Sequence, residues 1–228
     1  MKTEEYWEYL QKRRQMNKKN YYLESLREIE EIRREYDHKP RLLLHACCAV
    51  CAGWPLEFLS DVFDITIYYA NSNIWPAAEY NRRLSELQRF VKEVYGDAIE
   101  VIVPAYDNAA YTKKLEPLKD DPEGFRRCFL CYAERMGEAY QYAAEHGFDY
   151  FTTVMSSSRQ KDSQKINETG KALSARWPQV RYFYSDFKKK GGQERRDELA
   201  AEHDLYRQDY CGCIYSWEER FLPDLKSR

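Results

Sequence analysis

Apolar and polar positions change period along the chain, and each change marks a predicted helix or strand. Residues 3–37 are rich in Glu, Arg, Lys and Tyr and contain neither Gly nor Pro, so they predict a helix that ends before Pro40. Beyond Pro40, short apolar runs alternate with segments of helical spacing. Predicted strands occupy residues 41–46, 63–70, 99–103, 150–154 and 180–184; predicted helices occupy residues 51–60, the stretch that ends at Gly96, 108–116, 128–145, 161–174 and a last one at 193–203.

This alternation predicts an α/β fold in which helices cover both faces of a parallel sheet. Two segments follow from the pattern, namely an N-terminal helical extension at residues 1–38 and an α/β domain at residues 39–228. Right-handed crossovers bring the loops after the strands to one edge of such a sheet. We therefore expect a ligand site at that edge.

Composition narrows the class of protein. The chain has 228 residues, 43% of them hydrophobic, which suffices for one sizeable core. Its 36 basic and 38 acidic residues give a net charge of −2, so binding to nucleic acid requires a local patch of charge. The apolar stretches are shorter than a membrane span and the N-terminus is charged, which predicts a cytoplasmic protein without a membrane partner.

Seven cysteines stand in three tight groups. In a reducing compartment, such groups indicate metal ligands or catalytic thiols rather than structural disulfides. The first group, Cys47, Cys48 and Cys51, follows the first strand directly, at the expected ligand edge. Gly53 is the sole glycine near this turn, so a glycine-rich phosphate loop, and with it ATP, is not expected there.

The other two cysteine groups are further candidates for metal binding and redox chemistry. Cys128 and Cys131 lie three apart at a helix start, where both thiols point to one side. With two thiols of the first group they form a four-thiolate set that suits either a [4Fe–4S] cluster or tetrahedral zinc. A bridge between Cys211 and Cys213 would close a small strained ring, which is typical of a redox couple; the pair can alternatively supply two ligands to a second metal.

Basic residues form two clusters. The first comprises Lys188, Lys189 and Lys190 before a Gly-Gly pair, followed by Arg195, Arg196 and Arg207. It predicts an element that contacts phosphate, although neighbouring acidic residues also allow a solvated surface loop. The second cluster runs from Lys12 to Lys19 without an acidic residue. It is interpreted as a solvated helical face, with an arm that touches RNA as the alternative.

Three segments together resemble the epoxyqueuosine reductases of the QueH family. They are Leu44-His-Ala-Cys-Cys-Ala-Val-Cys51, Arg127-Cys-Phe-Leu-Cys-Tyr132, and Asp186-Phe-Lys-Lys-Lys-Gly-Gly192 through Tyr206-Arg-Gln-Asp-Tyr-Cys-Gly-Cys213. The resemblance covers about residues 41–216. It implies a three-layer, Rossmann-like α/β domain of the type seen in tRNA-thiolating ATP pyrophosphatases.

The resemblance also implies an activity. An oxidoreductase of this family reduces epoxyqueuosine to queuosine at wobble position 34 of tRNAs with GUN anticodons (Asp, Asn, His and Tyr isoacceptors), without cobalamin and with an external electron donor. By motif, a [4Fe–4S] cluster maps onto Cys47, Cys48, Cys128 and Cys131. The redox-active pair maps onto Cys211 and Cys213, and an additional iron has Cys51 as a candidate ligand.

Two other functions compete with this interpretation. An iron–sulfur, ATP-dependent tRNA thiolase would need a Ser-Gly-Gly-x-Asp-Ser-like loop after the first strand, where this chain has His45-Ala-Cys-Cys-Ala-Val-Cys51. A zinc-stabilised RNA-binding module would use the same thiols without catalysis. The metal content distinguishes these alternatives.

Overall fold

The structure is a computed structural model that describes residues 3–226, with side chains described as far as residue 222. Within residues 3–226, no helix combines the length and the apolar character that crossing a membrane requires. The helices are α1 (Glu4–Gln15), α2 (Tyr21–Glu35), α3 (Ala49–Leu59), α4 (Ala77–Tyr95), α5 (Asn108–Leu115), α6 (Arg126–Glu145), α7 (Ser163–Arg176), α8 (Gly192–Glu202) and α9 (Ile214–Lys226). The strands are β1 (Arg41–His45), β2 (Asp64–Tyr68), β3 (Glu100–Ile102), β4 (Tyr150–Thr153) and β5 (Arg181–Tyr182).

The five strands form one parallel sheet in the order β3-β2-β1-β4-β5. β1 lies at the centre, where Leu42 pairs with Ile65 of β2 and with Tyr150 of β4. The chain thus runs outward from β1 in one direction and then, after β3, returns to the other side of β1. This topology confirms the predicted α/β class and is consistent with a Rossmann-like fold.

Helices cover both faces of the sheet, as predicted. Leu42 and Leu44 point to one face, where they join a core formed with residues of α3, α4 and α8. Leu43 points to the other face, into a core formed with residues of α6 and α7. All three leucines are fully buried, which explains why β1 is a continuous apolar run rather than an alternating one.

The N-terminal region departs from the prediction of one helix over residues 3–37. Two helices, α1 and α2, are separated at residues 16–20. Met16 is extended, and the side chain of Asn20 accepts a hydrogen bond from the Leu23 N–H, which caps α2. A short polar side chain that satisfies a free N–H starts a new helix more readily than it continues an old one.

The C-terminal region also differs, because the helix predicted at 193–203 is not the last one. α9 begins at Ile214, directly after Cys213, so the third cysteine group forms a turn between α8 and α9. β5 is shorter than predicted, with two residues rather than five. As an edge strand it pairs with β4 alone, so few of its residues are held in a ladder.

The two predicted segments contact each other extensively. Arg181 of β5 donates hydrogen bonds to Glu28 at 2.7 Å and to Glu35 at 2.6 Å, both on α2. Glu28 also accepts a hydrogen bond from Tyr150 at 2.9 Å. Of the predicted ranges 1–38 and 39–228, the first two and the last two residues of the chain lie outside the described residues.

Candidate metal and thiol site

The first cysteine group lies at the carboxyl end of the central strand. Cys47 and Cys48 form the turn after β1, and Cys51 lies in the first turn of α3. All three are buried, and their sulfur atoms lie within 4.8 Å of one another. Gln208 donates a hydrogen bond to the Cys48 sulfur at 3.3 Å. Three soft donors at this spacing fit a thiophilic metal such as iron or zinc.

Hydrogen bonds among these three thiols shift their pKa values in different directions. Contacts with Cys48 and Cys51 hold the pKa of Cys47 well below its ordinary value. The contact with Cys47 raises the pKa of Cys48 to about 11, and contacts with Cys47 and Cys48 raise that of Cys51. One sulfur of the group is therefore favoured as a thiolate, which is the form that binds metal.

The other four cysteines surround a small cavity of about 10 Å³. Cys128 and Cys131 come from the first turns of α6, and Cys211 and Cys213 from the turn before α9. The Gly124 N–H donates to the Cys128 sulfur at 3.2 Å, and the Tyr111 hydroxyl donates to the Cys131 sulfur at 3.3 Å. Burial raises the pKa of Cys128 to about 12.

Two cations link the two cysteine groups. Lys161 lines the small cavity, and it also lines a larger cavity that contains Cys47, Cys51 and Cys211. Burial opposes its charge, yet the nearby Cys211 and Cys47 raise the pKa of Lys161 above its ordinary value. Arg135 is fully enclosed and has its pKa raised by Cys131 and Cys47 against the opposing effect of burial. Positive charge of this kind stabilises a collection of thiolates.

The larger cavity, which we call the thiol cavity, has a volume of about 540 Å³. Cysteines as well as charged side chains line it. Its size falls in the range of small-molecule and nucleotide pockets. The carboxylates that line it are those of Glu123, Asp209 and Glu219; burial raises the pKa of Glu123. Its basic residues include Lys161, Arg196 and Arg207.

The Cys211-Gly212-Cys213 turn is fixed by a buried arginine. Arg83 of α4, with a side chain 1% exposed, donates to the carbonyls of Cys211 at 3.2 Å and Tyr210 at 3.3 Å. Glu79 neutralises Arg83 at 2.7 Å. Gly212 has a φ of 127°, a conformation that favours glycine, and a Cβ there would lie 3.0 Å from Arg83 Nη1. A residue other than glycine at position 212 would therefore disturb the conformation of this turn.

The structure separates the predicted phosphate-binding residues. Arg196 and Arg207 line the thiol cavity, and both pair with Asp197. Arg195 instead pairs with the three carboxylates of Glu57, Glu198 and Glu202. Lys188, Lys189 and Lys190 line a second cavity; Lys188 donates to the Ser156 carbonyl at 2.8 Å and pairs with Asp186 at 3.2 Å.

Sequence reasoning missed the buried Arg83 and Arg135 and the half-buried Lys161. Arg135 follows Cys131 by four residues, so a shared helix face was a usable signal. Lys161 follows the serines after β4, at the edge where ligands were expected. Arg83 interrupts the apolar stripe of α4. Its hydrogen-bond acceptors, the carbonyls of Tyr210 and Cys211, are far away in sequence and become apparent only from the tertiary structure.

Comparison with known proteins identifies the family. The family model described as "Epoxyqueuosine reductase QueH" matches residues 42–219, a range that contains all seven cysteines. The chain belongs to the QueH family. QueH relatives named "Epoxyqueuosine reductase QueH" include that of Streptococcus pyogenes serotype M1, 37% identical over 88% of this chain and 79% of the relative. The Staphylococcus epidermidis relative is 38% identical over 88% of this chain and 86% of its own length, and that of Haemophilus influenzae is 36% identical over 79% and 73%. The family model begins at residue 42, so α1 and α2 lie outside the region that it matches.

Proposed function

We propose that this chain is an oxidoreductase that reduces epoxyqueuosine to queuosine at position 34 of tRNAs with GUN anticodons, the last step of queuosine biosynthesis. Membership of the QueH family supports this activity. The observation that carries it is the gathering of thiols around a cavity of about 540 Å³ at the carboxyl edge of the sheet. A nucleotide turned out of its stack needs an enclosed pocket of this kind.

The soft sulfur donors of the thiols fit the group that the family resemblance implies. We propose that Cys47, Cys48, Cys128 and Cys131 hold a [4Fe–4S] cluster, and that Cys51 with a carboxylate of the cavity holds an additional iron. Three of these four soft sulfur donors are buried and Cys128 is half-buried, which supports iron–sulfur ligation. When bound, this iron supplies reducing electrons and Lewis acidity. The proposed reaction uses no cobalamin, as the resemblance implies, and no ATP, since thiols occupy the turn after β1.

The protein's own residues have defined tasks in this proposal. Removal of the epoxide oxygen as water, with a carbon–carbon double bond left behind, takes two electrons and two protons. Oxidation of the Cys211 and Cys213 thiols to a disulfide releases two electrons and two protons, so the pair can balance one turnover. An external electron donor would then reduce the pair again. If the two cysteines instead bind the additional iron, the electrons come directly from the donor.

The remaining residues position and shield the substrate. The cations Lys161 and Arg135 stabilise the negative charge of the thiolates. Arg196 and Arg207 border the cavity, where they can pair with substrate phosphate as well as with Asp197. We propose tRNA of the Asp, Asn, His and Tyr isoacceptors as partners, and the cytoplasm as the location.

Conversion of epoxyqueuosine tests this function directly. Protein purified without oxygen is incubated with epoxyqueuosine-containing tRNA and a chemical reductant, and the nucleosides are separated by mass spectrometry. Queuosine should appear in an amount that depends on protein and reductant. Protein that contains iron and converts no epoxyqueuosine contradicts the proposal. Colourless protein loaded with zinc supports the RNA-binding module instead.

A further inference from the structure

A second cavity lies between the N-terminal helices and the loop before α8. It has a volume of about 760 Å³. Eight of the fifteen residues that line it are basic and two are acidic. The N-terminal segment contributes Arg13, Lys18 and Lys19, and the loop contributes Lys188, Lys189 and Lys190. We call this cavity the basic groove.

Ion pairs leave part of this charge uncompensated. Arg13 pairs with Asp162 at 2.7 Å and Lys19 with Glu24 at 3.1 Å. Lys18, Lys189 and Lys190 are exposed and have no carboxylate partner among residues 3–222. Uncompensated lysines from two distant parts of the chain, facing one groove, attract a polyanion.

The N-terminal wall of the groove is anchored to the α/β domain. The Lys19 N–H donates to the Gln164 side chain at 3.1 Å, and that side chain donates back to the Lys19 carbonyl at 2.9 Å. Tyr21 stacks on Tyr184 with ring centres 5.7 Å apart. The link between α1 and α2 is therefore held beside α7, and this is what brings Lys18 and Lys19 opposite Lys189 and Lys190.

The groove adjoins the thiol cavity. Arg159 and Lys161 line both, so the short segment after β4 forms their common wall. A ligand that occupies both the groove and the thiol cavity must carry negative charge over a long distance. It must also carry a separate group that enters the thiol cavity. A nucleic acid strand has this form, with phosphates along its backbone and a base that can turn aside.

We propose that the N-terminal segment, through Lys18 and Lys19, binds the sugar–phosphate backbone of the RNA substrate together with Lys189 and Lys190. The bound backbone lies in the basic groove while the target nucleotide enters the thiol cavity. This inference rests on the proposed function and assigns a task to an N-terminal segment that lies outside the region matched by the family model.

The test compares three double variants of the full chain. Lys18→Gln/Lys19→Gln and Lys189→Gln/Lys190→Gln each remove two charges from one wall of the groove. Arg33→Gln/Arg34→Gln removes two exposed charges from the far end of α2, about 18 Å along the helix from Tyr21. Dissociation constants for epoxyqueuosine-containing tRNA are measured from about 50 to 200 mM salt.

Loss of two phosphate contacts lowers the slope of log affinity against log salt by about 1.4 to 1.8. Each groove variant should show this change and bind tRNA at least about fivefold more weakly at low salt. The control variant should retain the slope of the unaltered chain. An unaltered slope in both groove variants overturns the inference, and so does weaker binding without a change of slope, which indicates structural disturbance.

Conversion of epoxyqueuosine by the unaltered chain separates the two proposals. If it converts the substrate and the groove variants bind tRNA as tightly as the control, the groove inference fails alone. If it converts nothing while the salt slopes change as described, the proposed reaction fails and the groove remains. Iron content and melting temperature equal to those of the unaltered chain show that the variants are folded.

Discussion

The position of each thiol follows from the residue next to it. Cys47 and Cys48 lie in the turn directly after the central strand, so the sheet holds them in place, whereas Cys211 and Cys213 depend on a glycine and a buried arginine. The location of the first cysteine group after β1 and of the second at the start of a helix was predictable from sequence. The separation of the seven thiols into two groups in space was not predictable. The distances between these groups depend on loops and on buried cations, whose positions only the packing of the folded chain reveals.

Replacement of single cysteines separates cluster binding from turnover. We expect Cys47→Ala to lose the iron–sulfur chromophore, because it removes a buried ligand of the proposed cluster. Cys211→Ala should retain the chromophore and fail to convert epoxyqueuosine. Visible absorbance, iron content and the conversion assay are compared in the same preparations. Full activity of the Cys211 variant rejects its redox role.

Gly212→Ala tests the geometry of the third cysteine group. The positive φ costs about 1–3 kcal/mol for alanine, and its Cβ would also press on Arg83 at 3.0 Å. We expect lower thermal stability and a marked loss of turnover. Gly96→Ala is the matched control, since Gly96 also has a positive φ but nothing lies within 4 Å of a Cβ there. It should lose stability and keep its activity; equal activity in both variants contradicts the account.

At the scale of secondary-structure elements, the spacing of hydrophobic residues predicted the sheet and its flanking helices well. Alternating strands and helices beyond Pro40 matched the observed order, with boundaries displaced by a few residues. The break at residues 16–20 was missed because Asn20 competes for a backbone N–H that a continuous helix would use internally. α9 was missed because the thiol turn that starts it carries no ordinary helix signal.

Close packing of α7 on β5 gives a prediction at this scale. A Cβ on Gly170 would overlap the Tyr182 ring, so Gly170→Ala forces a buried ring to move. We expect a loss of about 1–3 kcal/mol in the free energy of unfolding. Gly137→Ala on α6 meets only Leu173, at 3.8 Å, and should gain up to about 1 kcal/mol from helix propensity. Thermal or denaturant unfolding of both variants gives the sign; destabilisation of Gly137→Ala as large as that of Gly170→Ala contradicts the packing.

At the scale of the molecule, charge and chemistry occupy adjoining regions. A net charge of −2 conceals a basic groove, since acidic residues are concentrated elsewhere. Composition therefore excluded a global attraction to RNA but left a local one open. The groove needs the N-terminal helices docked beside α7, and that contact between distant segments was beyond the reach of sequence pattern.

Iron removal should separate binding from catalysis. A chelator under reducing conditions should abolish conversion. The tRNA affinity and its salt dependence should stay near their original values, because Lys18, Lys19, Lys189 and Lys190 line the groove and neither cavity that contains thiols. Reconstitution with iron and sulfide should restore conversion, and zinc should not. Loss of tRNA binding on iron removal, in protein that remains folded, contradicts this separation.

The central claim is that distant cysteines gather around iron at one edge of the sheet. Anomalous diffraction at the iron absorption edge, from crystals grown without oxygen, tests it most directly. The account predicts iron bonded to the sulfurs of Cys47, Cys48, Cys128 and Cys131. Iron absent from these sulfurs in protein that converts epoxyqueuosine, or a single zinc ion in its place, would contradict it.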